Sequence, residues 1–153
     1  MDVAAGEVCV DASLVLKLVL REPDSELAEA LFARWQADRV RLIAPVFCPV
    51  EVDSVIRRKS STGDPARRLS PEQAELAFQA VQMVPLRVVE EPLQRHRAWE
   101  LAKLLELPVV YDSHYLALAE LRGCEFWTAD EKLYRTAKEK LNYVRLLAEH
   151  DSR

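Results

Sequence analysis

Short runs of β-branched and aromatic residues alternate with longer stretches of helical periodicity along this chain. Five runs read as strands: Glu7–Asp11, Arg41–Ala44, Leu86–Val89, Glu125–Thr128 and Tyr143–Leu147. Between them, Ser13–Leu20 is apolar on nearly every side, as a buried helix would be. Asp24–Arg39 carries an apolar stripe through Leu27, Ala30, Leu31, Ala33 and Trp35, which predicts an amphipathic helix capped by Asp24 or Ser25.

Val46–Lys59 reads as a helix with Pro49 in its first turn, and Ser60–Arg68 as a polar loop. Ser70 begins the next helix as N-cap, with Pro71 at the first position and Gln73 completing a capping box. Further helices are predicted over Pro92–Leu105, over Ser113–Arg122 with Gly123 as C-cap, and over Glu131–Leu141. Strands alternating with helices predict an α/β three-layer sandwich, its five-stranded, mostly parallel sheet flanked by helices. Neither a repeat nor a composition break divides residues 1–153, so a single domain is expected, with its core at about 7–147.

Composition supports that reading. Of 153 residues, 50% are hydrophobic and 30% charged, enough apolar material for a real core. No apolar run approaches the ~20 residues of a membrane span. The opening MDVAAGE lacks the basic and apolar regions of a signal peptide. Cys9, Cys48 and Cys124 are odd in number and far apart, which fits a reducing cytoplasm better than a disulfide framework. His96, His114 and His150 have no zinc-finger spacing. A net charge of −4 disfavours passive, charge-driven nucleic-acid binding but leaves room for an enzyme that holds phosphate through a metal.

In open parallel sheets, ligands bind beyond the carboxyl ends of the strands. Asp11 ends the first strand, Asp130 lies just past the fourth, and Asp112 stands immediately before a predicted helix. Each alone reads well as an N-cap. Capping does not account for Asp at all three places, with no Ser, Thr or Asn among them. Glu51 adds a fourth carboxylate, flanked on its helical stripe by Phe47 and Val55; buried there, it would need a partner or a cation. Asp53, between Val46 and Ile56, competes for that role, and the helical wheel does not choose between them. Clustered carboxylates without His or Cys suit a hard divalent cation held by oxygen. Such a cation can activate water and stabilise phosphoryl charge.

The segments VCVDAS, PVFCPVEV, YDSHYLALAE and FWTAD together resemble the PIN domain, a fold of metal-dependent ribonucleases. The likeness runs from Val8 to about Leu147, and the single-domain length looks most like VapC-type toxins. The resemblance places Asp11, Glu51, Asp112 and Asp130 at the acidic, catalytic and metal-binding positions, and thereby favours Glu51 over Asp53. It implies a Mg²⁺ cofactor, with Mn²⁺ as substitute, and endonucleolytic cleavage of RNA such as tRNA or rRNA. It also implies a homodimer, a cognate VapB-like antitoxin and a cytoplasmic toxin–antitoxin pair. Ser13 and Thr128 match supporting hydroxyl positions; helix capping is the simpler reading of Ser13, and for Thr128 the two readings stand level. The Ser60–Arg68 segment is longer than compact members carry.

RNA held against an acidic pocket needs flanking cations. Arg57, Arg58, Lys59, Arg67 and Arg68 are the first candidates, and Lys132, Arg135, Lys138 and Lys140 form a second group. Tyr111 and Trp127 lie beside acids in sequence and could stack on bases, although such aromatics more often belong to the core. A PIN-like RNA- or protein-binding scaffold without catalysis is the alternative. A phosphoacceptor receiver fits poorly, since Asp11 stands alone and no lysine follows Leu147. Asp11-Ala12-Ser13 likewise lacks the second Asp of a haloacid-dehalogenase-type phosphatase.

Overall fold

The sheet is built outward from its first strand. In the computed structural model, β1 (Glu7–Val10) lies at the centre, between β2 (Arg41–Ala44) and β4 (Glu125–Thr128). Beyond them lie β3 (Leu86–Val88) and β5 (Val144–Leu146), giving the order β3-β2-β1-β4-β5. All four pairings are parallel, so the mostly parallel sheet of the sequence reading is wholly so. Cys9 stands opposite both Ile43 and Phe126, and all three are fully buried. Residues 6–150 are described; part of the segment read against a signal peptide, residues 1–5, lies outside them, as do residues 151–153.

The strand order has a functional consequence. The chain steps outward from β1 through β2 to β3, then returns to place β4 on the other side of β1. The order therefore reverses between β1 and β4, and the crevice at such a switch point is where open α/β sheets bind ligands. Asp11 and Asp130 follow the carboxyl ends of these two strands.

The helices are α1 (Ala12–Val19), α2 (Ser25–Ala37), α3 (Cys48–Ser61), α4 (Pro71–Met83), α5 (Gln94–Leu104), α6 (Tyr111–Arg122) and α7 (Glu131–Ala137). A 3₁₀ turn, Leu147–Glu149, follows β5. Helix α6 lies against β1 and β4, with α5 packed on it; α1 lies against β4 and packs on α2, α3 and α4. Tyr115–Ala119 are buried without interruption, because α6 sits between the sheet and α5. Arg97 of α5 reinforces that packing through both carboxylate oxygens of Glu120 on α6. A fully buried Phe such as Phe126 typically contributes about 3–5 kcal/mol against truncation to Ala.

The capping box forms as expected: Ser70 Oγ accepts from Gln73 N at 3.1 Å, and Gln73 Oε1 from Ser70 N at 2.8 Å. Gly123 ends α6 at φ 65°, a left-handed conformation that suits glycine. Helix α2 is a correction. Asp24 holds the N-cap position, left-handed at φ 67°, but its side chain makes no capping bond; Ser25 is the first helical residue, and its Oγ donates back to Leu20 O while accepting from Glu22 N. Helix α3 runs two residues past Lys59, with the Ser60 and Ser61 hydroxyls turned onto Arg57 O. Helix α7 stops at Ala137, short of Leu141. Helix α6 starts at Tyr111, so Asp112 lies inside its first turn rather than ahead of it.

Candidate metal centre

Asp11 occupies the switch point, buried to 4% exposure and placed where β1 becomes α1. Its Oδ1 accepts from Leu14 N at 3.0 Å, capping α1, and from Ser13 Oγ at 2.6 Å. Its Oδ2 accepts from Thr128 Oγ1 at 2.5 Å. Burial nonetheless pushes the carboxyl up to about 7; these three donors oppose the rise, and the charge of Asp112 adds to it. Two hydroxyls bind the centre together. Ser13 Oγ accepts from Ala129 N, and Thr128 Oγ1 accepts from Asp130 N, each at 3.0 Å. Ser13 thus bonds Asp11 and does not cap a helix; Asp11 is the cap of α1 and Asp130 the cap of α7.

Glu51, Asp112 and Asp130 join Asp11 around one pocket of about 450 Å³. Glu51 projects from the first turn of α3, and its Oε1 accepts from the buried Tyr115 hydroxyl at 2.8 Å. Burial raises its pKa, the Tyr115 bond opposes this, and Asp112 raises it further. Asp112 is raised by burial and then by the charge of Asp130. Asp130 Oδ1 accepts from Leu133 N at 3.1 Å and thereby caps α7. Asp53 faces a different pocket, across α3. The structure therefore gathers the four acids Asp11, Glu51, Asp112 and Asp130 and leaves Asp53 apart.

The donor set fits a hard cation. Asp11 Oδ2 is engaged by one donor, while Glu51 Oε2 and Asp130 Oδ2 are left open by the bonds on their partner oxygens. Asp112 has no side-chain hydrogen bond among the described residues, although it is part-buried. Carboxylates raised by burial and mutual repulsion gain from any cation placed among them. Among the described residues, however, no three acidic, His or Cys side chains stand close enough together to form a ready-made chelate. The acids share a pocket; side-chain adjustment or water must complete a coordination shell.

The basic candidates separate. Arg58 lines the acidic pocket. Arg57 is exposed and reaches Ser60 Oγ, Lys59 approaches Glu22 at 3.9 Å, and Arg68 is turned onto Gly63 O. Arg67, like Lys59 and Arg68, does not line the pocket. Of the second group, Arg135 pairs with Glu131, Lys138 lies over the Tyr134 ring, and Lys140 donates to Leu104 O. Tyr111 is exposed at the pocket and packs edge-on against Phe47. Trp127 instead packs against Trp35 and His150.

Sequence reasoning missed Tyr115. Its signal is the three-residue step from Asp112, which puts both side chains on one helical face.

A parallel sheet with four carboxylates lining one pocket at its switch point defines a class of α/β proteins suited to phosphodiester chemistry. The family profile of the PIN domain matches residues 8–139, and the chain belongs to the PIN domain family. PIN domains are in general nucleases that use divalent metals. PAE2754 from Pyrobaculum aerophilum is similar in structure, with a TM-score of 0.63 and 20% identity over 95% of this chain and 92% of that one. VapC20 of Mycobacterium tuberculosis, described as a sarcin–ricin loop cleaving toxin, has a TM-score of 0.59 and 17% identity over 85% and 95% of the two chains. At such identities the likeness speaks for the fold. No curated protein matched the chain. No helix among the described residues is long and apolar enough to cross a membrane.

Proposed function

We propose that this chain is a VapC-type endoribonuclease that hydrolyses RNA phosphodiester bonds with a divalent cation. The observation that carries the reading is the convergence of Asp11, Glu51, Asp112 and Asp130 on one pocket at the β1/β4 switch point. These four acids would hold Mg²⁺, or Mn²⁺ in its place. Bound there, the cation supplies an activated water and neutralises charge on the phosphoryl oxygens. The chain's own groups prepare the site. Ser13 and Thr128 hold Asp11 in one orientation, Tyr115 holds Glu51, and Arg58 offers a cation to the entering phosphate. The same reading makes the protein a cytoplasmic homodimer, the toxin partner of a VapB-like antitoxin, acting on structured RNA such as tRNA or rRNA.

Melting curves of wild type and Asp112→Asn, in EDTA and in millimolar Mn²⁺, test the metal centre. A ligand that binds only the folded state stabilises it by RT ln(1 + [L]/Kd). Mn²⁺ should raise the wild-type Tm. Asp112→Asn should be at least as stable in EDTA and gain less from Mn²⁺. Cleavage of total tRNA and rRNA by wild type, lost in Asp11→Asn, completes the test. The absence of a ready-made three-residue chelate favours a second reading, a PIN-like scaffold that binds RNA or protein without cutting. No Mn²⁺ response with or without RNA, together with no cleavage, would put that reading first.

A further inference from the structure

A second pocket, of about 870 Å³, lies across α3 from the acidic one and is closed on its far side by α4. The two share Val50, Ser54 and Arg58, spaced four residues apart along one ridge of α3. All three ridge residues are exposed. The second pocket adds Arg57 and the polar Ser61 and Thr62 from α3 and its end, and Phe78 from α4. Phe78 is 43% exposed, with its ring at the pocket rather than in the core. Asp53 and Glu75 also line this pocket, so its cations are balanced by acids. That balance makes it a poor phosphate track. An aromatic face flanked by hydrogen-bonding acceptors suits a nucleobase instead.

Resting on the ribonuclease reading above, we infer that the α3–α4 pocket is a base subsite. It takes an unpaired nucleotide flanking the scissile phosphate. The RNA strand crosses the Val50–Ser54–Arg58 ridge, with Arg58, which borders both pockets, meeting its phosphate. One base then stacks on Phe78, and Asp53 or Glu75 accepts from the exocyclic amino group of that base. The arrangement selects single-stranded or looped RNA over duplex, because a paired base cannot leave its stack without loss.

The test uses a fluorescein-labelled single-stranded RNA nonamer of mixed sequence and the same nonamer in duplex form. Anisotropy is read in EDTA, which stops cutting, and cleavage is read separately in Mn²⁺. Phe78→Ala should weaken single-strand binding roughly ten-fold or more, Phe78→Trp should restore it, and duplex binding should not change. In wild type, 4-thiouridine in the nonamer should photo-crosslink to the α4 peptide bearing Phe78, a readout independent of any variant's folding. If wild type binds the single strand but the Phe78 series is uniform, or the crosslink maps elsewhere, the subsite is wrong and the ribonuclease reading stands. If Phe78→Ala instead abolishes self-association in light scattering and leaves RNA binding intact, the face is a protein contact and the subsite is also wrong. If wild type neither binds nor cuts RNA in either buffer, the subsite and the reading beneath it fail together.

Discussion

Tyr115 donates its hydroxyl to Glu51 Oε1 at 2.8 Å, joining two helices 64 residues apart in sequence. Tyr115 also packs edge-on against Phe47 and lies near Phe126. Replacement by Phe keeps that packing and removes only the hydroxyl. The hydroxyl bond favours ionised Glu51, so its loss moves the Glu51 carboxyl further upward. Tyr115→Phe removes a bond to a charged group and should cost about 1.5–3 kcal/mol in stability. It should lower kcat more than it raises KM and shift the acidic limb of the pH–rate profile to higher pH. A loss of activity with an unmoved pH profile would make Tyr115 a packing residue alone.

Asp11 sets a pH dependence whose direction is opposite to that of a salt-bridged carboxylate. Its folded value of about 7 lies above the 3.8 of an unperturbed Asp. Below both values the two states are protonated; above both they are ionised. Between them only the folded state keeps the proton, so this residue's contribution falls as pH rises from about 4 to about 7. The loss reaches about 4 kcal/mol at most. Asn at this position can still accept from Leu14 N. In EDTA, Asp11→Asn should therefore match wild type near pH 4 and exceed it near pH 8. Urea unfolding of both proteins across that range measures the difference, and a pH-independent offset would contradict it.

Arg58 and Lys59 are adjacent in sequence but face different surroundings. Arg58 borders the acidic pocket, whereas Lys59 stands 3.9 Å from Glu22. Each phosphate contact contributes close to one unit to the slope of log K against log salt. Arg58→Ala should raise KM for RNA several-fold and flatten that slope by about one, while Lys59→Ala should change neither by a comparable amount. Equal effects from the two variants would show a diffuse cationic face in place of a directed contact.

Local signals carried much of the architecture. The β-branched runs place all five strands to within a residue or two, and Ser70, Pro71 and Gln73 announce α4 through bonds made within four residues. Asp11 and Asp130 were legible because a parallel sheet makes strand ends special, and Asp112 because it stands at a loop-to-helix junction. Contacts distant in sequence were less so. The wheel could not choose Glu51 over Asp53, since the choice depends on which neighbour covers each face of α3: α6 supplies Tyr115 to Glu51, while α4 flanks Asp53. Ser25 resembled a cap by residue type, but its hydroxyl turns back to Leu20 O. The basic run 57–59 looked uniform because sequence does not show that helical rotation brings only Arg58 to the acids.

Thr128 has no exposed surface and uses its hydroxyl twice, donating to Asp11 Oδ2 and accepting from Asp130 N. Val has nearly the same shape and neither capacity. Thr128→Val would leave Asp11 with only Ser13 Oγ and Leu14 N as donors and Asp130 N without its acceptor. A bond to a charged group contributes about 1.5–3 kcal/mol, and the part-buried bond from Asp130 N adds about 1 kcal/mol, since Asp130 is exposed and water can replace it. The two effects share one site and do not simply add. A loss of about 2–4 kcal/mol at pH 8 is expected, smaller at pH 4, where the Asp11 carboxyl is neutral and the bond to it is no longer charge-assisted. Thr128→Ser keeps the hydroxyl and removes one methyl, so it should recover most of the pH 8 loss and the Mn²⁺ response. Were Ser no better than Val, the buried methyl would be the part of Thr128 that the centre requires, and the hydroxyl clamp between β1 and β4 would be refuted.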